Sequence, residues 1–78
     1  MTNFTVHSRS RYGVYRFVGA CSTRKEAQRA ATREILKGVM ANVWIRFQDE
    51  EKIYEWDHEH ETMQEAMGHL EALAEGVL

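Results

Sequence analysis

Asp57-His58-Glu59-His60-Glu61 is the densest run of candidate metal ligands in the chain. In a strand, His58 and His60 share a side at a spacing compatible with Zn²⁺ or Ni²⁺, and a neighbouring carboxylate could complete the shell. A single His-x-His at a strand end is more often a solvated turn, so the sequence assigns no metal and no cofactor. His7 and His69 contribute only if the fold brings them close. Cys21 is the only cysteine. Placed just ahead of a helix, its thiol could be acidified by the helix N-terminus, but a small structural cysteine is the simpler reading. The chain contains no Gly-x-Ser-x-Gly elbow, phosphate-cradling glycine loop or zinc-protease helix motif. Seventy-eight residues also leave little room for a deep pocket. The expectation is a protein that binds and is not an enzyme.

A second group of residues mixes aromatic and basic side chains. Trp44 and Arg46 alternate in one β-branched segment, and Arg9 and Arg16 lie in two others. Such residues on a sheet stack against bases and neutralise phosphates. The same types dominate protein-interface hot spots. Glu65, Glu71 and Glu75 form an acidic stripe at helical spacing, suited to a basic groove on a partner. Partner binding is assigned to Trp44, Arg46, Arg16, Arg9, Glu65, Glu71 and Glu75. The alternative, direct nucleic-acid binding, uses Arg9, Arg16, Arg24, Arg29 and Arg46.

Four short segments are predicted as the strands that position these residues: Phe4-Thr5-Val6-His7-Ser8, Val14-Tyr15-Arg16-Phe17, Val43-Trp44-Ile45-Arg46-Phe47 and Ile53-Tyr54-Glu55-Trp56. All are rich in β-branched and aromatic residues. Short polar connections, Ser10–Gly13 and Gln48–Glu51, make each pair a hairpin. A helix follows each hairpin. The first opens at Ser22 or Thr23 with Glu26 as capping-box acid and ends near Gly38; the second opens at Thr62 with Glu65 in the same role. Met63, Ala66, Met67, Leu70, Leu73, Ala74 and Val77 then recur at helical spacing.

With an offset of 39, Met1/Met40, Tyr15/Tyr54, Thr23/Thr62, Glu26/Glu65 and Ala27/Ala66 coincide. The reading is one α+β domain, residues 1–78, with pseudo-repeat halves 1–39 and 40–78. Its architecture is ββαββα, a four-stranded antiparallel sheet with both helices on one face. Strand alternation directs Phe4, Val6, Tyr15, Phe17, Val43, Ile45, Phe47, Tyr54 and Trp56 towards the helices. It directs Thr5, His7, Arg9, Val14, Arg16, Trp44, Arg46, Ile53 and Glu55 to the open face.

Charge divides along the chain. Nine of the ten Lys and Arg residues precede position 49, against Glu26 and Glu34, whereas residues 49–78 hold ten acids and Lys52 alone. Two readings stand: the halves neutralise each other across the fold, or the division serves a charged partner or a homodimer. The single cysteine and the absence of a continuous apolar stretch in residues 1–20 predict a cytoplasmic protein with no secretory signal and no membrane span.

The segment Val18-Gly19-Ala20-Cys21-Ser22-Thr23-Arg24-Lys25-Glu26-Ala27-Gln28-Arg29-Ala30-Ala31 resembles the strand–turn–helix of compact phage-encoded α+β proteins, among them small anti-CRISPR proteins. The resemblance implies an inhibitor that blocks a host nucleoprotein complex by steric and electrostatic contact; no family residue carries over. Tyr15-Arg16-Phe17-Val18-Gly19 and Thr62-x-x-Glu65-Ala66 are similar to the repeated unit of SPOR domains, which bind peptidoglycan glycans. Asp57-His58-Glu59-His60 departs from that pattern, where a glycine-rich turn belongs. The first helix also resembles the end of plant AP2 DNA-binding domains, whose long reading sheet is missing.

Overall fold

The computed structural model describes residues 3–76. Strands β1 (Phe4–Ser10) and β2 (Tyr15–Cys21) form a hairpin followed by helix α1 (Arg24–Leu36); β3 (Met40–Phe47), β4 (Glu51–Asp57) and α2 (Met63–Ala74) repeat the order. The strands make one antiparallel sheet in the order β2-β1-β3-β4. This is the predicted ββαββα arrangement, with each strand longer than its sequence signal. Met1 and Val77, which the sequence reading places in the repeat and in α2, lie outside the described residues.

Local chemistry explains the boundaries. Thr23 caps α1 by accepting the Glu26 backbone N–H. The Glu26 carboxylate takes the Thr23 hydroxyl rather than a backbone donor, so this box is only half closed. The box at Thr62 and Glu65 is complete, with both backbone N–H groups bound. Gly38 ends α1 at φ 75°, a left-handed conformation that disfavours a Cβ. The first hairpin turns through Gly13 at φ 86°, closed by Gly13 N–H to Ser10 O and Ser10 N–H to Val14 O. In the second, Gln48 and Asp49 both hold positive φ, and Glu50 N–H returns to Phe47 O.

The core lies between one sheet face and the helices. Phe4, Val6, Val43, Ile45, Tyr54 and Trp56 meet Ala27, Ala31 and Ile35 of α1 and Ala66, Leu70 and Leu73 of α2. The repeat holds in β1, β3 and both helices: Val6 and Ile45, Ala27 and Ala66, Ala31 and Leu70 are equivalent positions and all fully buried.

It fails in β2. Opposite β1, Val6 pairs with Gly19 but His7 pairs with Phe17, so Val18 is an extra residue. A bulge of this kind reverses the parity of the strand beyond it. Cross-strand partners share a face, so Tyr15 and Phe17 join Arg9 and His7 on the open face, while Arg16 joins Ser8 beneath α1. The expected orientations of Tyr15, Arg16 and Phe17 are thus each reversed. A second bulge at Ile53 in β4 turns that side chain against the core rather than to the open face. Val14 precedes β2 and is exposed, and Phe47 opposes Phe4 with ring centroids 5.3 Å apart.

Beneath α1, Arg16 meets Glu34, whose side chain is only 2% exposed. Its Oε1 accepts the Ser8 hydroxyl at 3.1 Å and lies 3.5 Å from Arg16 Nη1; Oε2 lies 3.0 Å from Lys37 Nζ. Glu34 stands where the second half has Leu73. A buried carboxylate tolerates that place because three donors surround it.

Candidate functional site

The open face is organised around His7 and Trp44, paired across β1 and β3. Their rings stack at 5.5 Å with an interplanar angle of 10°. Tyr15 lies 5.9 Å from His7 and 6.0 Å from Trp44, so the three rings form one triangular cluster, and Phe17 meets the His7 edge at 5.6 Å. Both imidazole nitrogens are engaged, Nδ1 with the Tyr15 hydroxyl at 2.7 Å and Nε2 with Thr5 Oγ1 at 2.9 Å. Burial, and then the nearby Arg46 charge, lower the His7 pKa against a smaller opposing effect of Asp49. The neutral ring therefore persists to lower pH than a free histidine.

Trp44 does occupy the open face, but as its floor. It is 8% exposed, with the Arg9 guanidinium 5.8 Å and Lys52 Nζ 5.3 Å from its ring centroid. Its indole N–H is buried without a protein partner. The side chains that reach solvent are its neighbours: Tyr15 and Phe17 are each 51% exposed, and the adjoining hairpin presents Tyr12 at 92% and Val14 at 65%. Arg9 and Arg11 flank them, both exposed. Arg46 is half-buried and donates to Glu50 O at 3.0 Å, fixing the second hairpin. The result is an apolar, aromatic ridge with a cationic rim. It offers aromatic stacking, cation–π contact and apolar burial to an incoming surface.

The other predicted residues lie elsewhere. Arg24 is over the Phe4 ring at 5.9 Å, and Arg29 lines a groove beside β2. The five arginines of the nucleic-acid reading therefore divide between the two sides of the sheet: Arg9 and Arg46 on the open face, Arg16, Arg24 and Arg29 on the helix side. Glu65 is committed to capping α2, and its carboxyl is held below the usual range by the backbone N–H and the hydroxyl of Thr62. Glu71 and Glu75 share a groove of about 320 Å³ with Lys25 and Gln28 between the helices. Among the described residues no ion pair crosses from one helix to the other.

The His-x-His segment is not part of a strand. Residues 58–60 turn away after β4, and His58 donates from both its backbone and Nδ1 to Ala41 O. The groups that converge there are Asp57, Glu59 and His60, whose ligand atoms lie within 4.8 Å of one another at the surface. His69 instead meets Glu61 at 2.7 Å, and the same carboxylate accepts the Tyr54 hydroxyl at 3.4 Å. Burial, reinforced by the Glu61 charge, pushes the Tyr54 phenol well above its usual range. Cys21, the last residue of β2, is buried, and desolvation raises its thiol pKa.

Val14 is exposed as expected, but sequence reasoning turned Tyr15 and Phe17 inward and left out Tyr12, because the bulge at Val18 has no residue signature of its own and Tyr12 lies in the turn. The signal within reach was Ser8, paired with Arg16 and equivalent to Phe47, a polar residue at a position otherwise apolar. No family model, curated protein or solved structure matches this chain.

Proposed function

We propose that this protein is a non-enzymatic binding protein that docks on a protein partner through the open sheet face and the β1–β2 hairpin. The observation that carries this reading is the concentration of exposed Tyr12, Val14, Tyr15 and Phe17 in one hairpin, rimmed by Arg9 and Arg11. Contiguous aromatic and arginine side chains over a rigid floor are the composition of interface hot spots. Trp44 supplies the floor, and the engaged His7 ring holds Tyr15 and Phe17 in place, which limits the entropy lost on binding.

Resemblance to small anti-CRISPR inhibitors gives the reading its specific form, steric and electrostatic blockade of a complex that handles nucleic acid. Binding nucleic acid directly is disfavoured by the division of the arginines between two sides of the sheet. A phosphate-tracking surface requires those charges on one path.

Pull-down from bacterial lysate with the tagged protein, with and without nuclease, tests the proposal. The expected result is a defined protein that survives nuclease and is lost with Tyr15→Ser/Phe17→Ser. Material that disappears with nuclease overturns the reading in favour of direct nucleic-acid binding.

A further inference from the structure

β2 is an outer strand of the sheet, and among the described residues no strand pairs with its far side. Beside that edge runs a groove of about 350 Å³. Residues 18–21 of β2 line it from one side, and Glu26, Arg29 and Arg33 of α1 from the other. Gly19 pairs with Val6 and Cys21 with Phe4, core residues both, so these positions look towards the helices. Chain neighbours apart, no atom lies within 4 Å of where a Cβ on Gly19 would stand. The side-chain layer is therefore open over Gly19, in the groove that the two arginines line. Arg29 and Arg33 are one helical turn apart and exposed, and among the described residues neither enters an ion pair. Arg16, by contrast, already lies 3.5 Å from Glu34.

We infer that this groove binds an extended acidic peptide segment, which adds to the β2 edge and sets its carboxylates against Arg29 and Arg33. The site lies on the helix side of the sheet and does not involve the open-face ridge. An added strand gains main-chain hydrogen bonds from the edge, and its alternate side chains specify it. Every second residue of that strand points to the helix side. A glutamate opposite Gly19 has room there and meets two guanidinium groups that no acid of this chain neutralises. Charge selects this edge over the other, because β4 carries Glu51, Glu55 and Asp57 against Lys52 and repels an acidic segment. Nucleic acid fits the groove less well. No aromatic side chain lines it for base stacking, and Glu26 stands in the path of a phosphate chain. The bulge at Val18 limits regular pairing to the residues beyond it, so the contact is short and the binding weak and salt-sensitive.

Amide NMR titration of the full chain tests this. The probe is an acetylated, amidated peptide alternating Glu and Thr, whose threonines favour extended backbone and offer the aromatic ridge little apolar surface. At about 0.01 M salt it should shift the amides of residues 18–21 and the side-chain N–H signals of Arg29 and Arg33. At about 1 M salt those shifts should vanish, as the screening length falls from about 30 Å to about 3 Å. Replacing every Glu of the peptide by Gln should weaken binding about tenfold, and so should Arg29→Gln/Arg33→Gln in the protein. The Gln peptide makes the same comparison on the wild-type chain, whether or not the double variant folds. No shift at residues 18–21 with millimolar peptide, or equal binding of a peptide with Lys for Glu, would overturn the inference. Tighter binding of an oligothymidylate at the same amides would overturn it too, and assign the edge to nucleic acid.

Discussion

Glu34 is the side chain that α1 would be expected to reject, and its surroundings set the size of the effect of replacing it. Glu34→Leu restores the residue type found at the equivalent position, Leu73, and fits the apolar environment of α1. It also strips the acceptor from the Ser8 hydroxyl, which is fully buried beneath the helix. A buried hydroxyl without a partner costs about 1–3 kcal/mol. Arg16 and Lys37 are different, being 56% and 42% exposed, so each returns to solvent with a loss of about 0–1 kcal/mol. Glu34→Leu should therefore destabilise the fold by about 1–3 kcal/mol, lowering Tm by about 4–8 °C per kcal/mol in a chain this small. Ser8→Ala/Glu34→Leu removes donor and acceptor together. That double variant should lie within about 1 kcal/mol of wild type, since apolar replacement of both partners is often nearly neutral. Urea unfolding followed by circular dichroism measures all three variants. If Glu34→Leu alone matches or exceeds the double variant, Ser8 does not depend on Glu34 and the reasoning fails.

Trp44→Ala should cost about 3–5 kcal/mol, because the side chain is the floor of the open face rather than an exposed contact, and thermal denaturation will show it. Gln48→Asn/Asp49→Gly should raise stability by about 1 kcal/mol, since both positions hold left-handed backbone that Asn and Gly adopt more readily; a lower Tm would contradict this. The depressed His7 pKa means that the fold favours the neutral ring. The His7 contribution is full above its unfolded pKa of about 6.5 and is lost as pH falls through that value towards the lower folded one. A stability–pH profile should show this slope in wild type and a smaller one in His7→Gln.

The two halves differ in how much of them the sequence revealed. Threonine caps, the Gly38 stop and the hairpin turns are local chemistry, and residues 3–76 adopt the architecture they announce. Ala27 and Ala66, or Ala31 and Leu70, are buried at matching places in the two helices because helix burial depends on a period that no bulge interrupts. β2 escaped prediction for a specific reason. Val18-Gly19-Ala20-Cys21 is small and apolar throughout, so alternation carries no mark of the residue at which parity changes. The reversal at Val18 moved Tyr15 and Phe17 into the candidate site and removed Arg16 from it. Trp44 was assigned to its proper face, but its burial under Arg9 and Lys52 depends on two other strands. Nothing in the sequence marks Glu34 as buried, because its three partners lie in β1, β2 and the end of α1, and only the fold brings them together.

Adjacent residues in β2 give the most direct test of the proposed docking face. Phe17→Ala and Arg16→Ala differ by one position and by the side of the sheet they occupy. Each purified variant is compared with wild type for binding to the nuclease-resistant protein captured by pull-down, with Tm recorded alongside. Phe17→Ala should weaken binding by about 2 kcal/mol, close to 30-fold, with little change in Tm. Arg16→Ala should bind as wild type does. Full binding by Phe17→Ala with loss in Arg16→Ala would contradict the docking face and move the partner to the helix side of the sheet.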